Sequence, residues 1–248
     1  MTTLAEPMGM RTVSGTAFAM FPPHTTSRPT LLLLALSGVE TLRTKDNRLV
    51  GQLLYAQGWN VASLDLPCHG ADSRQGEPEQ LDGWAARTKQ GEDIVAAFQH
   101  RVNDVVAYLL ASGMADPARI AAAGISRGGF MALHAAAGNP HICAVAALAP
   151  VTDLHALREF TGQEANPLLD RLAIINAVDT LATRALWLTI GNRDDRVGTD
   201  KALAFAQALI ATGEPCRLTL HVLDTPGHAS FPAWHDTAAA WFEEMMNE

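Results

Sequence analysis

Cysteine is scarce in this chain: Cys68, Cys143 and Cys216 are three among 248 residues, odd in number and widely spaced. They form neither a CxxC pair nor a disulfide framework, so reduced thiols in a cytoplasmic protein are expected. Long hydrophobic runs are also missing. LLLLAL at 31–36 and ICAVAALA at 142–149 both fall far short of the roughly 20 residues that span a bilayer. No basic stretch leading into an apolar one opens the chain, so no targeting segment and no membrane partner are expected. Positive charge is in deficit, with 18 Lys and Arg against 26 Asp and Glu and a formal net charge of −8. A nucleic-acid groove needs a basic patch, and no Lys/Arg block supplies one. His-Glu-x-x-His is absent, the acids and histidines are scattered, and no dinucleotide fingerprint opens a helix. Neither a metal nor any other cofactor is expected.

What remains is the composition of a compact globule, 48% hydrophobic and 18% charged. A chain of this length can bury roughly 70 to 75% of its unfolded surface without staples. Short apolar runs alternate with helical periodicity, which predicts an α/β fold with a mostly parallel sheet of seven or eight strands flanked by helices. The strands are read at 15–21, 31–36, 60–66, 119–124, 142–150, 185–191 and 216–222. The runs at 142–150 and 185–191 are continuously apolar, as in strands buried on both faces. Ile94, Phe98, Val102, Val105 and Leu109 recur at helical spacing, and the helix they mark ends near Gly113. Residues 71–91 are polar and read as a long surface loop. Between 151 and 184 there is no strand pattern, and Asn166-Pro167 reads as the N-cap and first residue of a helix in a small insert. A further helix is capped by Thr199 or Asp200, and Trp234, Trp241 and Phe242 mark a final amphipathic one. No Pro/Ser-rich linker divides residues 1–248, so a single domain is expected.

One turn carries chemistry. RIAAAGISRGGFMALHAAAG (119–138) runs from a strand through a Gly-x-Ser-x-Gly knot into a helix. Gly124 and Gly128 let strand and helix approach closely while Ser126 occupies a strained apex with its hydroxyl exposed. The helix aims its first N–H groups at that spot, favouring negative charge there. A serine hydroxyl is a weak nucleophile unless a base takes its proton and an acid orients the base. GNRDDRV offers Asp194 and Asp195 after one strand, and TPGH offers His228 after the last, giving the chain order Ser, Asp, His. The other histidines compete less well; His69 sits in a turn and His100 on a polar helix stretch, and both read as solvated.

The chain resembles the α/β-hydrolase fold and, within it, the compact esterase and prolyl-oligopeptidase-like serine hydrolases, which include a dienelactone-hydrolase-like group. GISRGG, GNRDDRV, PGH and DLPCHG carry the likeness, over about residue 31 to the end. It implies a three-layer sandwich and a catalytic triad of Ser126, Asp194 and His228. Asp194 is preferred because the acid in such loops stands three residues after the glycine and three before the valine; Asp195 and Asp153 are the alternatives. Relatives place a second oxyanion donor after the strand at 31–36, where they show His-Gly and this chain has Ser37-Gly38-Val39. The resemblance thus assigns the hole to the backbone N–H groups of Val39 and Arg127. Cysteine serves as nucleophile in the dienelactone hydrolases, but at the elbow, which here holds Ser126; Cys68 reads as structural or as pocket wall. Trp84, Phe130 and Phe160 are candidates for an apolar substrate pocket, though each also suits a plain core. The expected activity is hydrolysis of a small carboxylic ester or thioester. A peptidase, an acyltransferase and a non-catalytic ligand-binding protein are the alternatives. Larger relatives screen peptides with an extra domain that this length does not accommodate, which favours small esters.

Overall fold

The computed structural model describes residues 5–24, 27–229 and 231–247. Its strands are β1 (Met8–Arg11), β2 (Ala17–Met20), β3 (Arg28–Leu34), β4 (Asn60–Ser63), β5 (Ala115–Ile125), β6 (Ile142–Leu148), β7 (Ala185–Gly191) and β8 (Arg217–Leu223). They form one sheet of eight strands in the order β1-β2-β4-β3-β5-β6-β7-β8. Pairing is antiparallel from β1 through β2 to β4 and parallel across the rest. Every residue of β7 is buried, which requires cover on both faces of the sheet. The outer strand β8 is only partly buried along its length.

The helices that supply the cover are α1 (Gly38–Arg43), α2 (Leu49–Ala56), α3 (Gln80–Lys89), α4 (Ile94–Ala111), α5 (Arg127–Gly138), α6 (Pro167–Leu172), α7 (Val178–Leu181), α8 (Thr199–Ala211) and α9 (Pro232–Asn247). In α4 the five periodic residues all face inward, and Asp93 caps the helix by accepting the N–H groups of Val95 and Ala96. Asn166 caps α6 in the same way, accepting from Leu168 N–H at 3.0 Å with Pro167 at the first helical position. Between β6 and β7 the chain makes only α6, α7 and short 3-10 turns. No helix among the described residues is long and apolar enough to cross a membrane.

Three expectations are corrected. The 71–91 stretch is not all loop, because α3 occupies its second half and buries Trp84, Arg87 and Thr88. Arg87 is 3% exposed and bonded to Asp72 at 2.6 Å and Glu77 at 2.9 Å. The inner face of α3 thus mixes the ion-paired Arg87 with Gly83, Trp84, Ala85 and Thr88, which leaves no aliphatic period to read. Strand β1 was not anticipated; it is a short, mostly exposed edge strand without alternation. Finally, α8 is preceded by Gly198 at φ +81° without a side-chain cap. The Thr199 hydroxyl turns away from the helix, donating to Gly191 O at 2.5 Å and accepting from Asp194 N–H at 3.1 Å.

Candidate active site

Ser126 stands between β5 and α5 with φ +55° and ψ −117°, a conformation that costs a non-glycine residue about 1 to 3 kcal/mol. Three backbone hydrogen bonds hold it there. Ser126 N–H donates to Leu148 O at 2.9 Å, and Ser126 O accepts from Val151 N–H at 3.1 Å and Phe130 N–H at 3.2 Å. The glycines around it are steric requirements. A Cβ on Gly124 would collide with the Gly128 carbonyl, and one on Gly128 with the Leu34 carbonyl of the neighbouring strand. The turn therefore packs against backbone on two sides, and Arg127 begins α5 with its N–H at the serine.

Asp194 lies in the turn after β7, its side chain wholly buried. Its Oδ1 accepts from the backbone N–H groups of Arg196 at 3.1 Å and Val197 at 3.2 Å, which fixes the carboxylate plane. Its Oδ2 accepts from His228 Nδ1–H at 2.7 Å. With Nδ1 carrying the proton, the neutral imidazole presents Nε2 as its basic atom. The loops bearing acid and histidine are clasped together: Asn192 N–H donates to Leu223 O, Thr225 N–H to Asn192 Oδ1, and Arg193 Nε–H to Thr225 O. Asp195 is exposed, and Asp153 is engaged elsewhere, accepting from His155 N–H and pairing with Lys201 at 3.3 Å.

A cavity of about 640 Å³ opens over the turn, and Ser126 and His228 both line it. Its wall is polar, built by Arg127, Arg196, Glu159 and Gln80 around the apolar Leu36 and Ile125. Arg196 pairs with Glu159 at 2.7 Å, and Arg127 donates to Gln80 Oε1 at 2.9 Å. The aromatic pocket candidates are corrected: Trp84, Phe130 and Phe160 are at most 2% exposed and do not line this cavity. Trp84 packs on Phe130 with ring centroids 6.0 Å apart and donates its indole N–H to Pro67 O at 2.6 Å. Their bulk goes into the core beneath the turn.

Val39 is corrected as well. It sits in the first turn of α1 and lines a separate cavity with Gly38, Asp65 and β1 and β2 residues. The chain leaves β3 past the serine at Ala35 and Leu36, and Asp65 Oδ1 then draws in Gly38 N–H at 2.7 Å, which carries Val39 beyond the site. His69 is buried rather than solvated, with Nδ1–H donating to Pro67 O at 2.8 Å, and burial pushes its pKa down. Cys68 is buried at φ +58°, and burial raises its thiol to about 11. Among the described residues no group of three or more His, Cys, Asp or Glu could hold a metal ion. Sequence reasoning missed the side chains of Arg127, Gln80, Glu159 and Arg196. The only signal was adjacency: Arg127 follows the serine and Arg196 follows the acid by two.

A family model described as the prolyl oligopeptidase family matches residues 96–248, more than half of the chain and all of the Ser126, Asp194 and His228 segments. The chain belongs to the prolyl oligopeptidase family. No curated protein matches it by sequence. Solved structures similar to this family member include dipeptidyl peptidase 4 of Porphyromonas gingivalis, with a TM-score of 0.69 and 17% identity over 97% of this chain and 35% of that one. An acylaminoacyl peptidase of Pyrococcus horikoshii gives 0.73 and 15% over 100% of this chain and 42% of that one. An esterase of Pyrococcus furiosus gives 0.66 and 16% over 98% and 90%. At such identities the likeness shows the α/β-hydrolase fold. The chain spans about a third of the length of the dipeptidyl peptidase.

Proposed function

We propose that this member of the prolyl oligopeptidase family is a serine hydrolase acting on small carboxylic esters or thioesters. Ser126 Oγ attacks the acyl carbon while His228 Nε2 takes its proton, then returns it to the leaving group. Asp194 keeps the imidazole in the Nδ1–H tautomer and stabilises its charged form. The Arg127 backbone N–H, at the start of α5, faces the developing oxyanion. Water then hydrolyses the acyl-enzyme by the same steps. The observation that carries the reading is the 2.7 Å bond from His228 to a buried, doubly anchored Asp194, beside a cavity that a strained Ser126 shares.

Intact-mass spectrometry after a fluorophosphonate probe tests it. One adduct on the wild-type chain and none on Ser126→Ala is expected. No adduct on a folded wild-type chain would reject the reading in favour of a ligand-binding protein. A peptidase reading is favoured by the family match and by the acylaminoacyl peptidase likeness. Comparing a nitrophenyl ester with the nitroanilide of the same acyl group separates the two, since a peptidase also turns over the anilide at a measurable, Ser126-dependent rate and an esterase does not.

A further inference from the structure

We infer that the cavity over Ser126 selects substrates bearing a carboxylate, and that the Arg127 guanidinium is the group that receives it. The inference rests on the serine-hydrolase reading and names the substrate class for the same site.

Three carboxylates, Glu79, Asp82 and Glu159, and two guanidiniums, Arg127 and Arg196, line the cavity, but they pair unevenly. Glu159 Oε1 is taken by Arg196 Nη2 at 2.7 Å and approached by Arg158 Nε at 3.6 Å. Its Oε2 is buried and accepts no hydrogen bond among the described residues. Arg127 makes no ion pair among the described residues; its side-chain hydrogen bond goes to the neutral Gln80 amide. Glu79 and Asp82 are exposed to solvent and neither makes an ion pair with Arg127 among the described residues, so each offsets its charge only weakly. Burial and the like charge of Arg196 work against the ionised Arg127 side chain, while the charge of Glu159, already held by Arg196, works for it. A half-buried guanidinium without an ion pair of its own is left with a charge that a ligand carboxylate can complete.

The surroundings hold the guanidinium in place. Gln80 stands at φ +57°, and its N–H donates to the carbonyl of Cys68, itself at φ +58°. Two strained residues therefore seat the Gln80 amide that accepts from Arg127, and such strain persists where packing over-determines it. The fork of donors next to the nucleophile suits a planar carboxylate bound through two oxygens. An acyl chain ending in a carboxylate, or a leaving group carrying one, would meet it while its carbonyl carbon lies at Ser126.

The test compares matched pairs of esters. Mono-p-nitrophenyl glutarate is set against p-nitrophenyl pentanoate for a charge on the acyl side. Acetoxybenzoate is set against phenyl acetate for a charge on the leaving side. In the wild-type chain kcat/KM for the charged member of at least one pair is expected to exceed its neutral partner by about tenfold or more. Because each ratio is taken within one protein, losses common to both substrates cancel. In Arg127→Gln the ratio should fall by about tenfold, and Arg127→Lys should restore part of it. A neutral preference in both pairs, or a ratio unmoved by Arg127→Gln, overturns the inference. Glutarate binding by calorimetry, present in wild type and lost in Arg127→Gln, reads the same site without turnover. It therefore remains decisive if Ser126 takes no fluorophosphonate label: binding supports the carboxylate site while the hydrolase reading fails, and its absence rejects the site.

Discussion

On the proposed mechanism, Asp194→Asn should disable turnover while leaving the fold nearly intact. In the native site Asp194 Oδ1 accepts two backbone N–H groups and Oδ2 accepts His228 Nδ1–H at 2.7 Å. Asparagine has the same shape, and its carbonyl oxygen can keep both backbone bonds. Its amide nitrogen then faces His228, and two N–H groups cannot donate to one another. The imidazole answers by moving its proton from Nδ1 to Nε2, so the atom that should accept the Ser126 proton no longer can. A wrong-tautomer defect of this kind costs about 10⁴-fold in kcat, or about 5 kcal/mol of barrier. Stability should change by only about 1 kcal/mol, because no buried N–H loses its partner. Asp194→Ala differs: it strands the N–H groups of Arg196 and Val197, at about 1 to 3 kcal/mol each. Steady-state ester hydrolysis, with urea unfolding in parallel, separates the two effects. Asp194→Asn within tenfold of wild type would refute the reasoning, as would an equal loss from Asp195→Asn.

Three further outcomes follow from the packing. His134 is fully buried, its Nε2–H donates to Leu172 O at 3.0 Å, and burial lowers its pKa from 6.5 to about 4. The unfolded chain therefore binds the extra proton first, so stability is full above about pH 6.5 and falls as pH drops towards 4. Between pH 7.5 and 5.0 His134 should account for about 2 kcal/mol of the loss by urea unfolding, and His134→Gln should make the slope shallower by that amount; an unchanged slope would contradict this. Gly128→Ala sets a methyl against the Leu34 carbonyl and should cost about 3 kcal/mol or more, a drop of about 6 to 12 °C in Tm. A full Tm would mean that the strand and helix can separate. Cys68, buried and raised to about 11, should resist a thiol reagent at pH 8 until denaturant is added, whereas reaction in the folded chain would show that the 66–92 segment opens.

Local signals were enough for β2 to β8, for α4, α5, α6, α8 and α9, and for the serine turn. Continuous apolar runs marked β6 and β7, period and cap marked α4 and α6, and small residues flanked Ser126 because backbone packs there on two sides. These are short-range properties, written in neighbouring residues. The pairing of His228 with Asp194 joins residues 34 apart in sequence, and family resemblance pointed to it where spacing alone left Asp195 and Asp153 open. The walls of the cavity were decided by tertiary structure alone. Trp84, Phe130 and Phe160 have the chemistry of a substrate pocket, yet they lie in the core because α3 and the segment after β6 fold over them. Val39 is three residues beyond Leu36, but one turn of α1 and the Asp65 hydrogen bond put it in another cavity. The α3 segment hid its inward face because Gly83, Trp84, Ala85, Arg87 and Thr88 make it up and no aliphatic repeat runs through them. A sequence pattern states what a side chain is made of; whether it meets solvent, core or substrate depends on which distant segment packs against it.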